Sequence, residues 1–473
     1  MNKTGLTKMT FDEAITSGGD ERIELKANGL NKYYLNPLVS NGHLNRGSCT
    51  CSPISDDVKP RVKGVYNRIT SGEATVEDIR IKQRFRMKAL LQDSYTQDFN
   101  IFFAPSGSDL CYFPLLFSKI TDPSRPIMSL ITCPEELGTG TLLANAGKYF
   151  SEKTQVLETV EKGSALNNNL EVSQILFAAR DIDGNILDHK SEIYNAIEQY
   201  KDSHHIIVNL VIGSKSGIED NVSIIKDGPT NVTYVVDLCQ MRATPKLFNE
   251  LLELNCLLMI TGSKFYQSPP FCGALLIPEK VSSSIKKAEI TREMVAGFDT
   301  VFSKYDIPPV YKNIRAQFPE IENIGLTLRW EAALCESELI IAYGERDVTY
   351  AISAWNKKIT EALGVSDKFI LMFDQDKTNR SIVSFMVKKD GKILNSAQLK
   401  AIYDELLLNS TKYQSRFESI SIGQPVNYEN HSFLRFALGS RNIRNLIESG
   451  YDYSSDELIV EVLEKIIDAL VFH

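Results

Sequence analysis

Cysteine is scarce: eight residues among 473, at positions 49, 51, 111, 133, 239, 256, 272 and 335. That excludes a disulfide scaffold. Most lie among apolar neighbours, as in Asn255-Cys256-Leu257-Leu258 and Phe271-Cys272-Gly273, which reads as reduced, buried thiols in a cytoplasmic protein. Cys49-Thr50-Cys51 has the look of half a metal site, but no second Cys/His cluster at zinc-like spacing accompanies it, so no metal is expected. No apolar run approaches the ~18 residues a membrane helix needs. The first twenty residues lack the apolar core of a secretory signal. Basic residues are not in excess: Lys+Arg is 52 against Asp+Glu 60, a net charge of −8. With no basic block, nucleic acid is excluded as a partner. Internal repeats and low-complexity tracts are absent.

What is present is an ordinary globular composition, 43% hydrophobic and 24% charged. At roughly 150 residues per domain, the length suggests about three domains, or one large and one smaller. Residues 1–75 are polar and turn-rich and read as an arm packing on a body. From about 95, short apolar runs alternate with helical patterns. The runs are 100–104, 126–132, 173–177, 206–212, 234–236, 256–260 and 274–277; helices are expected at 141–150, 188–201 and 244–254. Continuous apolar strands separated by helices indicate an α/β sheet buried on both faces. After about 310 the pattern predicts helices at 323–340, 347–363, 396–408 and 455–471, with strands at 368–373, 382–387, 418–422 and 432–438. That is an α+β unit. The expected division is therefore an arm over 1–75, a large domain over 76–310 and a small domain over 311–473.

Three strand ends in the α/β region carry polar residues. Ala104-Pro-Ser-Gly-Ser-Asp109 follows a strand and opens a helix. Small hydroxyl residues around a glycine admit an anion to backbone N–H groups; equally, Ser106 or Ser108 is a helix cap. Asp237, in Val235-Val-Asp-Leu-Cys-Gln240, ends an apolar strand where open α/β sheets bind ligands; equally, it caps the helix that follows. Lys264, in Thr261-Gly-Ser-Lys264, leaves another apolar strand. Such a lysine can be a desolvated nucleophile, although a lone lysine is more often a surface charge. The combination is what carries weight. A Ser/Gly loop, then Asp, then Lys is the order needed to hold a cofactor phosphate, a pyridinium nitrogen and an aldehyde.

At Asp237-x-x-Gln240 and Thr261-Gly-Ser-Lys264 the chain resembles the fold-type I pyridoxal-phosphate enzymes, in the class V aminotransferase branch that includes cysteine desulfurases. The resemblance spans most of 95–445. It implies a large domain with a mixed seven-stranded sheet and a smaller α+β C-terminal domain. It implies pyridoxal 5'-phosphate as cofactor, with Lys264 as the Schiff-base lysine. Asp237 would meet the ring nitrogen, and Gln240 the ring oxygen or the lysine linkage. Ser106, Gly107 and Ser108 would bind the phosphate, with Ser263 and Thr261. Ser214, in Gly213-Ser-Lys-Ser-Gly217, stands where relatives carry Asn. Pro134-Glu-Glu-Leu-Gly-Thr139 stands where relatives stack a side chain, often His, on the ring; neither His nor an aromatic is present there. His431-Ser-Phe-Leu-Arg-Phe-Ala-Leu-Gly439 is similar to the family strand whose Arg takes the substrate carboxylate, which makes Arg435 the candidate; Arg242 and Arg329 are further options. In this fold the N-terminal arm often covers the site, so Tyr33, Tyr34 and residues 46–55 are candidates to line its mouth.

The expectation is a pyridoxal-phosphate-dependent aminotransferase acting on an amino acid. The alternative is a lyase or carbon–carbon bond-forming enzyme on the same cofactor. A cysteine desulfurase is disfavoured, because no cysteine follows Cys335. A non-catalytic binding protein would need no Lys264. By resemblance a homodimer is expected.

Overall fold

The computed structural model describes residues 9–40, 42–47, 52–91, 97–372, 379–428 and 430–472. The Cys49/Cys51 pair, and with it part of the 46–55 segment, lies outside them. Strand β1 is His43–Arg46. The seven apolar runs form β2 (Phe99–Ala104), β3 (Ile127–Thr132), β4 (Val172–Phe177), β5 (His205–Val211), β6 (Thr233–Asp237), β7 (Leu257–Thr261) and β8 (Gly273–Pro278). They make one sheet in the order β2-β8-β7-β6-β5-β3-β4. Its strands are parallel except β8, which runs antiparallel to both β2 and β7. The sheet is the mixed, seven-stranded one expected.

Alternation explains why the runs inside the sheet lack a polar face. In β2, Ile101 and Phe103 enter the core on one side of the sheet, Phe102 and Ala104 the core on the other. Successive side chains point oppositely, so a doubly covered strand must be apolar throughout. The crossovers include helices Lys190–Tyr200 and Pro245–Glu253. The helix expected at 141–150 is shorter, Thr141–Asn145, and Gly147 follows at φ +66.

The second sheet contains β9 (Phe369–Leu371), β10 (Ile382–Lys389), β11 (Lys392–Ile393), β12 (Ser419–Val426) and β13 (Phe433–Ala437). Its order is β1-β12-β13-β10-β11, with β9 also on β10. Helices Gly344–Val365, Ser396–Asn409 and Ser454–Ala469 contribute to its core through Trp355, Leu399 and Leu463. β1 comes from the N-terminal region and pairs in parallel with β12. Arg46 on β1 bonds Asp456 twice, at 2.7 and 2.9 Å.

Helices Lys59–Thr70 and Val76–Leu91 were not anticipated as elements. The first packs Val62 with Leu328 and Ala332 of helix Ile324–Ile341. A further apolar cluster joins the two sheets: Ile131, Cys133, Val211 and Ile218 from the large one meet Met386, Val426, Tyr428 and Phe433 from the small one. It lies at the carboxyl ends of β3 and β5, so the second sheet packs near that edge.

Candidate active site

Register brings the three motifs together. Ala104 of β2 and Thr261 of β7 both stand opposite Gly273 of β8. Asp237 of β6 stands opposite Met259 of β7. β2, β6 and β7 therefore end along the same edge of the sheet.

After β2, Ser106 is a cap in extended conformation. Its hydroxyl accepts the Asp109 N–H at 3.3 Å and donates to Asp109 Oδ2 at 2.5 Å. The capping alternative is thus realised at Ser106. Ser108 Oγ lies 3.3 Å from Thr141 Oγ1. Gly107 is required by close approach: a Cβ there would fall 2.9 Å from Cys239 Sγ and 3.7 Å from the Thr261 methyl. That contact sets the serine turn against the ends of both β6 and β7.

Asp237 is half-buried, and its Oδ1 accepts the Cys239 N–H at 2.8 Å. It does not cap helix Pro245–Glu253; Thr244 does, accepting the Leu247 N–H. Thr261 Oγ1 donates to the Cys239 carbonyl at 2.7 Å, bracing β7 on the turn after β6. Lys264 follows in the β7–β8 connection. That turn is held by Gly262 N–H to Cys272 O at 3.0 Å and Gln267 N–H to Lys264 O at 3.2 Å. Ser263 is buried, Lys264 half-buried. Among the described residues, Lys264 makes no ion pair and no side-chain hydrogen bond. Its charge and that of Asp237 both act on the Cys239 thiol, which burial first of all pushes well above its usual range. Cys111 is likewise raised, by burial and then by Asp237. Burial leaves both thiols protonated and unreactive; Asp237 acts on both, Lys264 on Cys239.

Gln240 is buried beside Gly213, whose Cβ position lies 3.6 Å from Gln240 Cβ. The neighbouring Ser214 hydroxyl donates to Glu136 Oε2 at 2.5 Å and accepts the Ile218 N–H at 3.0 Å.

Glu136 is the centre of a group that sequence reasoning missed. Its buried carboxylate also accepts from Ser216 N–H at 2.8 Å, Ser216 Oγ at 2.7 Å and Tyr428 OH at 3.0 Å, and pairs with Arg180 Nε at 3.5 Å. Burial opposes ionisation, but Arg180 and the donors outweigh it and hold Glu136 below the usual range. Tyr428 stacks on His431 with centroids 4.6 Å apart. The only signal in sequence was a Pro-Glu-Glu run after a strand; Arg180 and Tyr428 had none.

Arg435 is buried on β13 opposite Ser384 and Gly423. A Cβ at Gly423 would lie 2.2 Å from Arg435 Cγ, so the neighbouring strand is cut back to admit the side chain. Nη1 donates to Gln424 O at 2.6 Å. Arg242 Nη1 donates to Ser381 Oγ at 2.5 Å and Leu438 O at 2.6 Å. Burial and then Arg435 lower the Arg242 pKa, which places the two guanidinium groups near one another. Arg329 is taken up by backbone carbonyls, those of Phe271, Ile15, Ser17 and Gly18 at 2.7, 2.9, 2.6 and 3.2 Å. It anchors the N-terminal segment and is not a substrate contact.

No family model matches the sequence, and no curated protein matches it. Solved structures do match the fold. A NifS-like protein from Rickettsia africae superposes with a TM-score of 0.56 at 13% identity, over 90% of this chain and 99% of that one. An apo cysteine desulfurase from Thermococcus onnurineus gives 0.56 at 16%, over 90% and 95%. An alanine–glyoxylate aminotransferase from Nostoc gives 0.56 at 13%, over 92% and 97%. The fold is therefore the one these three solved structures share.

Proposed function

We propose that the chain is a pyridoxal-phosphate-dependent enzyme acting on an amino acid, and that its reaction is transamination. One observation carries this reading. A half-buried amine without an ion pair, Lys264, and a carboxylate, Asp237, flank Cys239 at the carboxyl edge of the sheet, and a hydroxyl-rich turn packs on the same thiol. The fit to pyridoxal phosphate is physical. In the serine turn the Asp109 and Leu110 N–H groups go to Ser106, while those of Gly107 and Ser108 have no acceptor among the described residues and are donors a phosphate can take.

Lys264 would hold the cofactor's aldehyde through its amine, and Asp237 would keep the ring nitrogen protonated. Ser106, Gly107, Ser108 and Ser263 would bind the phosphate. Thr261 would contribute by bracing the turn, since its hydroxyl is spent on Cys239. Gln240 and Ser214 would help hold the cofactor ring, Ser214 itself being held by Glu136. The cofactor supplies the electron sink that weakens bonds to the substrate Cα. The Lys264 amine would also serve as the general base that takes the proton from the substrate Cα. Arg435, with Arg242 close by, would take the substrate carboxylate. A desulfurase would need a mobile nucleophilic cysteine; all six described cysteines are buried, Cys335 inside helix Ile324–Ile341. We expect the enzyme to act as a cytoplasmic homodimer.

The test is spectral. Purified protein mixed with the cofactor should show a visible absorbance band, and borohydride should fix the label on the peptide containing Lys264. An amino-acid panel should then convert the cofactor to its amine form. A protein that stays colourless in excess cofactor refutes the proposal. Bleaching without the amine form would mean lyase chemistry.

A further inference from the structure

The N-terminal segment brings a guanidinium to the serine turn. Arg22 makes a two-point ion pair with Asp20, Nε to Oδ1 at 2.8 Å and Nη2 to Oδ2 at 2.5 Å. Its guanidinium lies against two rings, 4.9 Å from the Phe271 centroid and 5.3 Å from that of Phe150. Those rings belong to the segments that wall the turn. Phe271 lies two residues before Gly273, where a Cβ would come within 2.9 Å of the Ser106 carbonyl. Phe150 packs on Gly140, and a Cβ at nearby Gly138 would lie 3.5 Å from Ser108 Oγ. The Arg22 side chain is 12% exposed, and Nη1 makes no hydrogen bond among the described residues. A stacked guanidinium with Nε and Nη2 held and Nη1 unbonded can still donate to an oxyanion.

The other groups facing Arg22 are Asp109 and Tyr33. Burial and then the charge of Asp20 push Asp109 up to about 7. A raised Asp109 competes less with an anion for Arg22 than an ordinary carboxylate would.

We propose that Arg22 binds the phosphate end of the cofactor, which makes the N-terminal segment part of the cofactor site. This rests on the function proposed above. The experiment compares pyridoxal phosphate with pyridoxal, which carries the same aldehyde and no phosphate. Equilibrium binding is read from the visible band, without turnover. Arg22→Gln should weaken pyridoxal phosphate by about 10- to 100-fold and leave pyridoxal within about twofold. Inorganic phosphate should compete in the wild type and much less in Arg22→Gln. Equal weakening of both aldehydes would mean that Arg22 only props the fold, and unchanged affinity that it does not touch the anion; either overturns the assignment. If Arg22→Gln does not fold, Arg22→Lys decides. Retained preference for the phosphorylated form supports the assignment, and joint loss of both overturns it. A wild type that gives no band with either aldehyde overturns the functional reading and this assignment together. A normal band with an indifferent Arg22→Gln overturns this assignment alone.

Discussion

Gly262 precedes Lys264 by two residues and is pressed against helix Ile324–Ile341. A Cβ at 262 would stand 2.3 Å from Ala333 Cβ, 3.1 Å from Cys272 Sγ and 3.5 Å from Trp330 Cζ3. Two methyl carbons rest at about 3.5–4.0 Å, so Gly262→Ala forces a displacement of more than about 1 Å. The helix cannot give way easily. Arg329 ties it to four carbonyls, and Trp330 Nε1 donates to Gly273 O at 3.0 Å. The strain must therefore fall on the turn that carries Lys264. Overpacking of this kind costs about 1–3 kcal/mol. Ala333→Gly alone should cost about 1 kcal/mol in helix propensity. Combining the two moves the methyl from the helix to the turn and removes the clash, so the double variant should lose only about 1 kcal/mol. The expected coupling is thus about 1–3 kcal/mol in favour of the pair. Urea unfolding at constant m reads it directly. Labelling of Lys264 by cofactor and borohydride should fall in Gly262→Ala and recover in the double variant. Costs that add to within about 0.5 kcal/mol would show that 262 and 333 do not compete for the same space.

Lys264→Ala should abolish the borohydride-fixed label with an unchanged thermal midpoint, and undiminished turnover would remove the mechanism. Asp237→Ala should fold normally and lose rate severely, because only the ring's charge state changes; a mild effect would misplace the electron-sink role. Asp456→Ala should destabilise the small domain by about 3–5 kcal/mol, since it strips Arg46 and the Trp355 Nε1–H of their acceptor; a loss below about 1 kcal/mol contradicts the buried pair. The carboxyl groups of Asp109 and Asp220 are pushed up by burial, to about 7 and about 6. The folded state therefore holds their protons more tightly than the unfolded state, and stability of the cofactor-free protein should fall as pH rises from about 4 to 7. Asp109→Asn should flatten that slope, and an unchanged slope would contradict the assignment.

Most of the large sheet is legible in sequence, because a strand covered on both faces must be apolar along its length. The seven runs are the seven strands, although edge strand β4 buries only Phe177. Their order and the reversal of β8 are not legible, since pairing depends on partners far away in the chain. The order Ser106, Asp237, Lys264 is likewise readable, as each residue sits at the end of its own strand. That Gly107, Cys239 and Thr261 meet is decided by the register of β2, β8 and β7. The polar N-terminal stretch hid helix Lys59–Thr70, which buries only Val62. Arg329 looked like a substrate contact because nothing local revealed the carbonyls of Ile15 and Ser17. The Glu136 group shows the limit most sharply. Tyr428 lies 292 residues away from the carboxylate it serves, and no periodicity reaches that far. Local chemistry set which residues carry charge and where strands begin and end; folding alone determined which of those charges come together, because burial and pairing are properties of surfaces brought together.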